Sequence, residues 1–124
     1  MKKIILVSGD PNSINSEIIG KSWKKISNSL KKKIYLISSY NLIKDQFKKM
    51  RFSTKITHVK SLIEGENDNS LKIINVNLNY KNPFSVSKKN ATKFIYQTLN
   101  LAHKISLNKN IKGLINCPIN KDLF

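Results

Sequence analysis

A short apolar strand that runs directly into a polar turn opens the sequence. Lys3–Val7 is rich in β-branched residues, which is typical of a central strand buried on both faces. A glycine, an aspartate and a proline follow it, and Ser16 is then placed to cap a helix. A buried strand that feeds a helix through a short loop predicts a β-α-β unit. Ligands of such sheets bind at loops leaving the carboxyl ends of strands, so residues 9–15 form the first candidate site.

The pattern after this loop predicts one amphipathic helix from Ser16 to about Leu30. Apolar residues recur there at helical spacing on one side, namely Ile18, Ile19, Trp23, Ile26 and Leu30. The loop contains neither the Gly-x-Gly-x-x-Gly pattern of dinucleotide-binding folds nor the Gly-Lys-Ser/Thr of a phosphate loop. The sequence therefore does not support an ordinary nucleotide-binding loop.

Strands and helices alternate along the rest of the chain. Residues 34–37 resemble a buried strand, residues 71–76 resemble another strand, and residues 54–59 alternate like a more exposed strand. Ile111–Asn116 resembles a last buried strand. This order predicts an α/β fold with a mainly parallel sheet flanked by helices, formed by residues 1–124 as a single domain.

Two further helices are expected between these strands. Ser39 or Asn41 is placed to cap the first one, and Ser85 or Ser87 the second. The second helix has the clearest apolar stripe of the sequence, formed by Ala91, Phe94, Ile95, Thr98, Leu99, Ala102 and Ile105. Pro83 makes the stretch before it irregular or extended.

Charge and cysteine content narrow the function classes. The formal net charge is +16, but Arg51 is the only arginine among 23 basic residues. Arginine is the residue that binds guanine and phosphate in two-pronged geometry, so nucleic acid is an unlikely partner. Cys117 is the only cysteine, which excludes an internal disulfide and fits a structural thiol in a reducing compartment. No apolar run is long enough to cross a membrane, and we expect a cytoplasmic protein.

The two histidines are not assigned chemistry. His58 lies on an alternating strand and His103 lies beside the apolar stripe of a helix, and lone histidines in such places are typically structural or solvent-facing. The chain ends at Phe124, directly after a turn in which Asn120 or Asp122 is placed to start a helix. We therefore expect an incomplete, truncated domain.

Two loop sequences together resemble the 4-hydroxythreonine-4-phosphate dehydrogenase family. Residues 9–17, Gly-Asp-Pro-Asn-Ser-Ile-Asn-Ser-Glu, are similar to that family's N-terminal Gly, acidic, Pro, small, Gly, Ile motif. Residues 118–121, Pro-Ile-Asn-Lys, are similar to its Pro, Ile or Val, any residue, Lys signature. The resemblance spans essentially the whole chain. Ser13 stands where the family usually has glycine, and a serine fits there without strain only if its φ is negative. Asn116-Cys117 stand where threonine and a small residue are common in the family.

The resemblance implies what the full-length protein does. It implies a two-lobed, homodimeric enzyme, similar in fold to isocitrate and isopropylmalate dehydrogenases, of which this chain is the N-terminal part. The implied reaction is the oxidation and decarboxylation of 4-phosphohydroxy-L-threonine in pyridoxal phosphate biosynthesis, with NAD and a divalent metal cation as cofactors. The metal ligands are then expected beyond residue 124, and the fragment alone is expected to be inactive.

Three residues are the candidates for contacts in a cleft that binds a small phosphorylated substrate: Asp10, Asn120 and Lys121. Lys121 is the candidate for an anionic group, whereas Asp10 can equally serve its own turn. Two other interpretations stay open, namely a dehydrogenase of another four-carbon phosphorylated hydroxy acid and a non-catalytic, lysine-rich binding protein. The dehydrogenase hypothesis requires the two loops to leave neighbouring parallel strands at one edge of the sheet.

Overall fold

The computed structural model of the chain describes residues 2–117. Within them a five-stranded sheet forms, and every adjacent pair of strands is parallel. In chain order the strands are β1 (Lys3–Val7), β2 (Ile34–Ser38), β3 (Ile56–Val59), β4 (Leu71–Asn75) and β5 (Ile111–Asn116). Their spatial order is β3-β4-β2-β1-β5. The prediction of an α/β fold with a parallel sheet is confirmed.

Helices cover both faces of this sheet. They are α1 (Asn15–Trp23), α2 (Asn28–Lys33), α3 (Tyr40–Lys49) and α4 (Lys88–Ser106). One apolar cluster joins β1 and β2 to Ala102 of α4, and a second joins the opposite side chains of the sheet to α1 and α3. The second cluster includes Leu36, Ile43 and Phe47. The two apolar clusters lie on the two faces of the sheet, and loops surround the carboxyl ends of the strands.

Two of the expected helix caps are present. The Ser39 hydroxyl accepts a hydrogen bond from the Leu42 amide at 3.2 Å, and the Ser87 hydroxyl accepts one from the Asn90 amide at 3.2 Å. Each hydroxyl satisfies an amide that has no partner inside the helix. The starts of α3 and α4 therefore follow from the serines that precede them.

The prediction of a single helix from Ser16 to Leu30 is wrong. The chain leaves α1 after Trp23, and Ser27 caps a separate helix, α2, by accepting a hydrogen bond from the Leu30 amide at 3.1 Å. Ser16 lies inside α1, whose cap residue is Ile14. A serine in mid-pattern competes for backbone donors, and here it starts a new helix. Ile18, expected on the buried stripe, is half exposed.

The last strand is also less buried than its sequence predicts. β5 lies at the end of the sheet, and within the described chain only β1 pairs with it. Leu114 and Ile115 are exposed by 40% and 54%. An edge strand keeps an unpaired row of backbone groups, and nothing in its own sequence distinguishes it from a central one. β1, expected to be buried on both faces, is buried on one face and half-buried on the other.

The sequence did not predict a buried lysine near the amino ends of the strands, which we call the amino edge of the sheet; the carboxyl edge is the end at which the strands finish. Lys72 in β4 has no exposed surface, and its Nζ donates to the carbonyls of Lys31, Lys32 and Asp68 at 3.0–3.3 Å. The same Nζ lies 4.8 Å from the centre of the Tyr35 ring. Burial lowers the pKa of Lys72 to about 8. Its charge holds the end of α2 by hydrogen bonds to the last carbonyls of that helix.

Candidate functional site

The loop after β1 is a compact turn built on Asp10. Gly9 has φ +76°, a conformation that residues with a Cβ rarely adopt. Asp10 is 7% exposed. Its Oδ1 accepts the Asn12 amide at 2.9 Å, and its carbonyl accepts the amide and the hydroxyl of Ser13 at 3.2 and 2.7 Å. Asp10 therefore stabilises its own turn, and its contact with a substrate stays a prediction.

Ser13 fits the loop without backbone strain. Arg51 is the only non-glycine residue with a positive φ in the part of the chain that the structure describes, so Ser13 has the negative φ that its side chain requires. Its hydroxyl accepts a hydrogen bond from the Asn15 amide at 3.1 Å, and the Asn15 side chain donates to the Ser8 carbonyl at 3.0 Å. These bonds connect the turn directly to the first residue of α1.

Side chains outside the predicted motif hold the loop in place. The Asn12 side chain donates to the Val86 carbonyl at 2.8 Å and accepts from the Val86 amide at 2.7 Å. Gln46 in α3 donates to the carbonyls of Pro11 and Pro83 at 3.1 and 2.8 Å. The loop, the segment before α4 and α3 thus form one hydrogen-bonded unit.

Sequence reasoning missed both of these amides, and only one of them left a signal. Gln46 lies among the apolar residues of α3, next to Phe47 and one turn after Leu42 and Ile43. A polar residue on an apolar stripe has to find a buried partner. Asn12 lies in a polar loop, where nothing in the sequence distinguishes an anchoring amide from a solvated one.

Hydroxyl groups line a small polar space between this loop and α3. The residues around it include Ser8, Ser13, Ser16, Ser38 and Gln46. The hydroxyls of Ser8 and Ser38 are buried and have no hydrogen-bond partner in the described part of the chain. Both serines lie at the ends of neighbouring strands, because Ser38 is the last residue of β2 and Ser8 comes directly after β1. The carboxyl edge therefore contains two buried hydroxyls whose hydrogen-bonding capacity is unused within the described residues.

The chain leading to the second loop lies beside the first loop. β5 pairs in parallel with β1, so that Asn116 lies opposite Val7, and the Cys117 amide donates to the Val7 carbonyl at 3.0 Å. The predicted cleft residues Asn120 and Lys121 lie outside the described residues. Parallel neighbouring strands end at the same edge of a sheet. The described chain thus ends, at Cys117, next to the start of the first loop.

Cys117 and the two histidines lack the environment of catalytic groups. Burial raises the pKa of the Cys117 thiol, which disfavours the nucleophilic thiolate. His58 stacks on Tyr40 with 5.7 Å between ring centres, and both His58 and His103 are exposed. Residues 2–117 contain no group of three or more His, Cys, Asp or Glu side chains placed to hold a metal ion. The described residues do not fit a divalent metal site.

The structure also bears on membrane association. None of the helices described for this chain is long and apolar enough to span a bilayer.

Comparison with known proteins gives a match in structure and none in sequence. No protein-family model and no curated protein matches the sequence. The fold matches the crystal structure of a 4-hydroxythreonine-4-phosphate dehydrogenase from Burkholderia phymatum with a TM-score of 0.85 at 19% identity, over 99% of this chain and 38% of that one. The corresponding enzyme from Klebsiella pneumoniae gives a TM-score of 0.80 at 18% identity, over 99% and 39% of the two chains.

The match therefore covers nearly all of this chain but well under half of each solved structure. At this level of identity it establishes the fold, and it agrees with the prediction of a fragment. The chain has the fold of part of a 4-hydroxythreonine-4-phosphate dehydrogenase.

Proposed function

We propose that this chain is the N-terminal part of an NAD- and divalent-metal-dependent dehydrogenase that oxidises and decarboxylates 4-phosphohydroxy-L-threonine in pyridoxal phosphate biosynthesis. The full-length protein is then a cytoplasmic, two-lobed homodimer. The dehydrogenase-like fold supports an oxidoreductase. Substrate, cofactors and pathway come from the resemblance of the two loop motifs to that family.

The observation that carries the proposal is the parallel pairing of β1 with β5, the strands that precede the two motifs in sequence. The loop of residues 9–17 leaves β1, and Cys117, the last described residue, is hydrogen-bonded to the last residue of β1. The proposal takes the second motif to continue from this point, at the carboxyl edge where parallel α/β sheets bind ligands. The uncommitted hydroxyls of Ser8 and Ser38 lie at the same edge.

In the proposed enzyme, this chain supplies substrate contacts and the rest of the polypeptide supplies the metal ligands. Asp10 shapes the first loop, and Asn120 and Lys121 contact the anionic substrate. Because the described residues do not fit a metal site, the metal ligands come from polypeptide outside residues 2–117. No chemical step is assigned to a side chain of the described part.

Steady-state assays of the full-length gene product test this proposal. We expect reduction of NAD, followed at 340 nm, that requires both 4-phosphohydroxy-L-threonine and a divalent cation and that chelation abolishes. Lys121→Ala raises the KM for the phosphorylated substrate about tenfold or more, because a charge-assisted contact is lost. Lys109→Ala, which changes a lysine at the amino edge before β5, leaves KM unchanged.

Other outcomes identify the alternatives. If the enzyme oxidises a different four-carbon phosphorylated hydroxy acid and does not oxidise 4-phosphohydroxy-L-threonine, the proposed substrate is wrong but the dehydrogenase reaction is retained. Absence of NADH formation with every acid and cation overturns the dehydrogenase. A lysine-rich nucleic-acid-binding protein then requires affinity for random duplex DNA that falls steeply with salt concentration.

A further inference from the structure

A second cleft lies at the amino edge of the sheet, away from the loops described above. Three lysines from separate parts of the chain line it: Lys24 directly after α1, Lys31 in α2 and Lys55 directly before β3. Asp68, which lies shortly before β4, is the only acidic residue among the described residues of its wall. The cleft therefore combines three positive charges with one negative charge.

The lysines of this cleft form no ion pair within the described chain. The ion pairs found in residues 2–117 join Lys3 to Glu66 and Lys21 to Glu17, so that Lys24, Lys31 and Lys55 have no carboxylate within 4 Å. The Asp68 carboxylate is already committed, because its Oδ1 accepts the Ser70 amide at 2.8 Å. This bond is the main cause that lowers the pKa of Asp68, and the charge of Lys55 is a further cause. An anion in the cleft would be attracted by all three lysine charges.

Hydrogen-bonding groups accompany the charges. Thr54 lies in the wall of the cleft, and its hydroxyl oxygen is buried and has no partner among the described residues. A buried hydroxyl without a partner costs free energy. Trp23, the single tryptophan of the chain, lies in the same wall and donates its indole N–H to the Asn69 carbonyl at 3.3 Å.

We propose that this cleft binds a phosphate group, either as inorganic phosphate or as the end of a phosphate monoester. Ammonium groups bind phosphate oxygens as point charges, and three of them line this cleft. The site lies at the opposite edge of the sheet from the proposed catalytic cleft. The two assignments therefore stand or fall separately.

Another lysine-lined cleft in the same molecule serves as a control that distinguishes a specific phosphate site from the general attraction of anions to lysines. A third cleft is lined by Lys48, Lys49 and Lys81 with Asp45, so it has the same formal charges. No unpartnered buried hydroxyl lies among its described residues. Removing two lysines from either cleft changes the net charge of the protein equally.

Titration of Trp23 fluorescence tests the proposal with the chain as it is. Inorganic phosphate and glycerol 3-phosphate are added separately at constant ionic strength, with sodium chloride as the reference. We expect a saturable change that sodium chloride does not produce. In the double variant Lys24→Gln/Lys55→Gln the affinity falls about tenfold or more, whereas Lys48→Gln/Lys81→Gln retains it. Glutamine keeps most of the side-chain length, and circular dichroism checks the fold of each variant.

The two ligands distinguish the source of the phosphate group. Tighter binding of inorganic phosphate supports free phosphate as the ligand, and tighter binding of glycerol 3-phosphate supports a monoester. A response that is linear, that sodium chloride reproduces, or that both double variants lose equally overturns the site. If fluorescence is silent in the native protein, a phosphate-dependent rise in melting temperature with the same pattern of variants supports the site, and its absence overturns it.

Discussion

Single residues hold this fold at both edges of its sheet, and Lys72 is the clearest case. Its ammonium group is fully buried, satisfies three carbonyls and lies against the ring of Tyr35. Lys3 lies on the same ring at 5.3 Å and pairs with Glu66 at 3.2 Å. Hydrogen bonds offset much of the cost of burying the Lys72 charge, but not all of it, as the lowered pKa of Lys72 shows.

This cost predicts an unusual dependence of stability on alkaline pH. The pKa of Lys72 is about 8 in the folded chain against 10.5 for an ordinary lysine, so the unfolded state binds more protons between these values. The free energy of unfolding therefore rises as the pH increases from about 8 to 10. Denaturant titrations across this range measure the rise. Lys72→Met abolishes it, and a rise of unchanged size in that variant contradicts the assignment.

Tyr35 sets the upper limit of this rise. Burial, followed by the charges of Glu66 and Glu64, raises its pKa from 10.0 to about 12. The phenol therefore contributes stability that is present below pH 10 and is lost as the pH increases towards 12. Tyr35→Phe reduces this upper loss, and the remainder comes from Tyr80, whose pKa is raised by burial and by its hydrogen bond to Asp45. Because Lys72 still produces the rise above pH 8, Tyr35→Phe is the matched control.

Gly9 is the other residue on which a local conformation depends. Its φ of +76° costs a residue with a Cβ about 1–2 kcal/mol. We expect Gly9→Ala to lower the free energy of unfolding by about that amount, measured by chemical denaturation. Gly113→Ala is the control, because a Cβ at Gly113 meets no atom within 4 Å and its φ is not positive. An equal loss in both variants contradicts the role of the turn.

At the scale of elements, the first loop, the segment before α4 and α3 are joined by side-chain amides. Asn12 makes two hydrogen bonds to the backbone of Val86, and Gln46 makes two to carbonyls of both segments. All four bonds link residues more than thirty positions apart. The shape of the candidate cleft therefore depends on residues outside the two recognised motifs.

Removing the Asn12 amide tests this coupling. Asn12→Ala leaves the amide and the carbonyl of Val86 without their partner, and we expect a loss of about 1–3 kcal/mol of stability. Hydrogen exchange of the Val86 amide accelerates more than exchange in β2. Asn41→Ala, at an exposed position of α3, changes neither quantity. If Val86 stays as protected as in the native chain, the loop is held by other contacts.

Elements with strong local signals were predictable from sequence, and their relations across the sheet were not. Apolar runs located four of the strands and an alternating pattern located β3, and Ser39 and Ser87, each one of two candidate caps, start two helices. The break between α1 and α2 was missed because the apolar spacing continues through Ser27. The exposure of β5 was missed because burial depends on neighbours that its own residues do not specify. For the same reason, periodicity identified neither Asn12 nor Lys72.

For the molecule as a whole, the two edges of the sheet have different chemistry. The carboxyl edge carries serine hydroxyls and backbone turns with few charges. The amino edge carries buried lysines and the cleft of Lys24, Lys31 and Lys55. A net charge of +16 attracts anions to any part of the surface. Because the two edges are separate, phosphate that binds at the amino edge is not expected to compete with a substrate that binds at the carboxyl edge.

The pairing of β5 with β1 has a consequence for how the protein forms during translation. The two strands lie at nearly opposite ends of the 124-residue sequence, and strands so far apart pair late because closing a long loop is entropically costly. While a ribosome is still adding the residues of α4, the outer edge of β1 has no neighbour. The nascent chain consequently carries an apolar strand that can pair on one side only, with β2, until almost all of these residues have emerged, the stage at which a chaperone has most to protect.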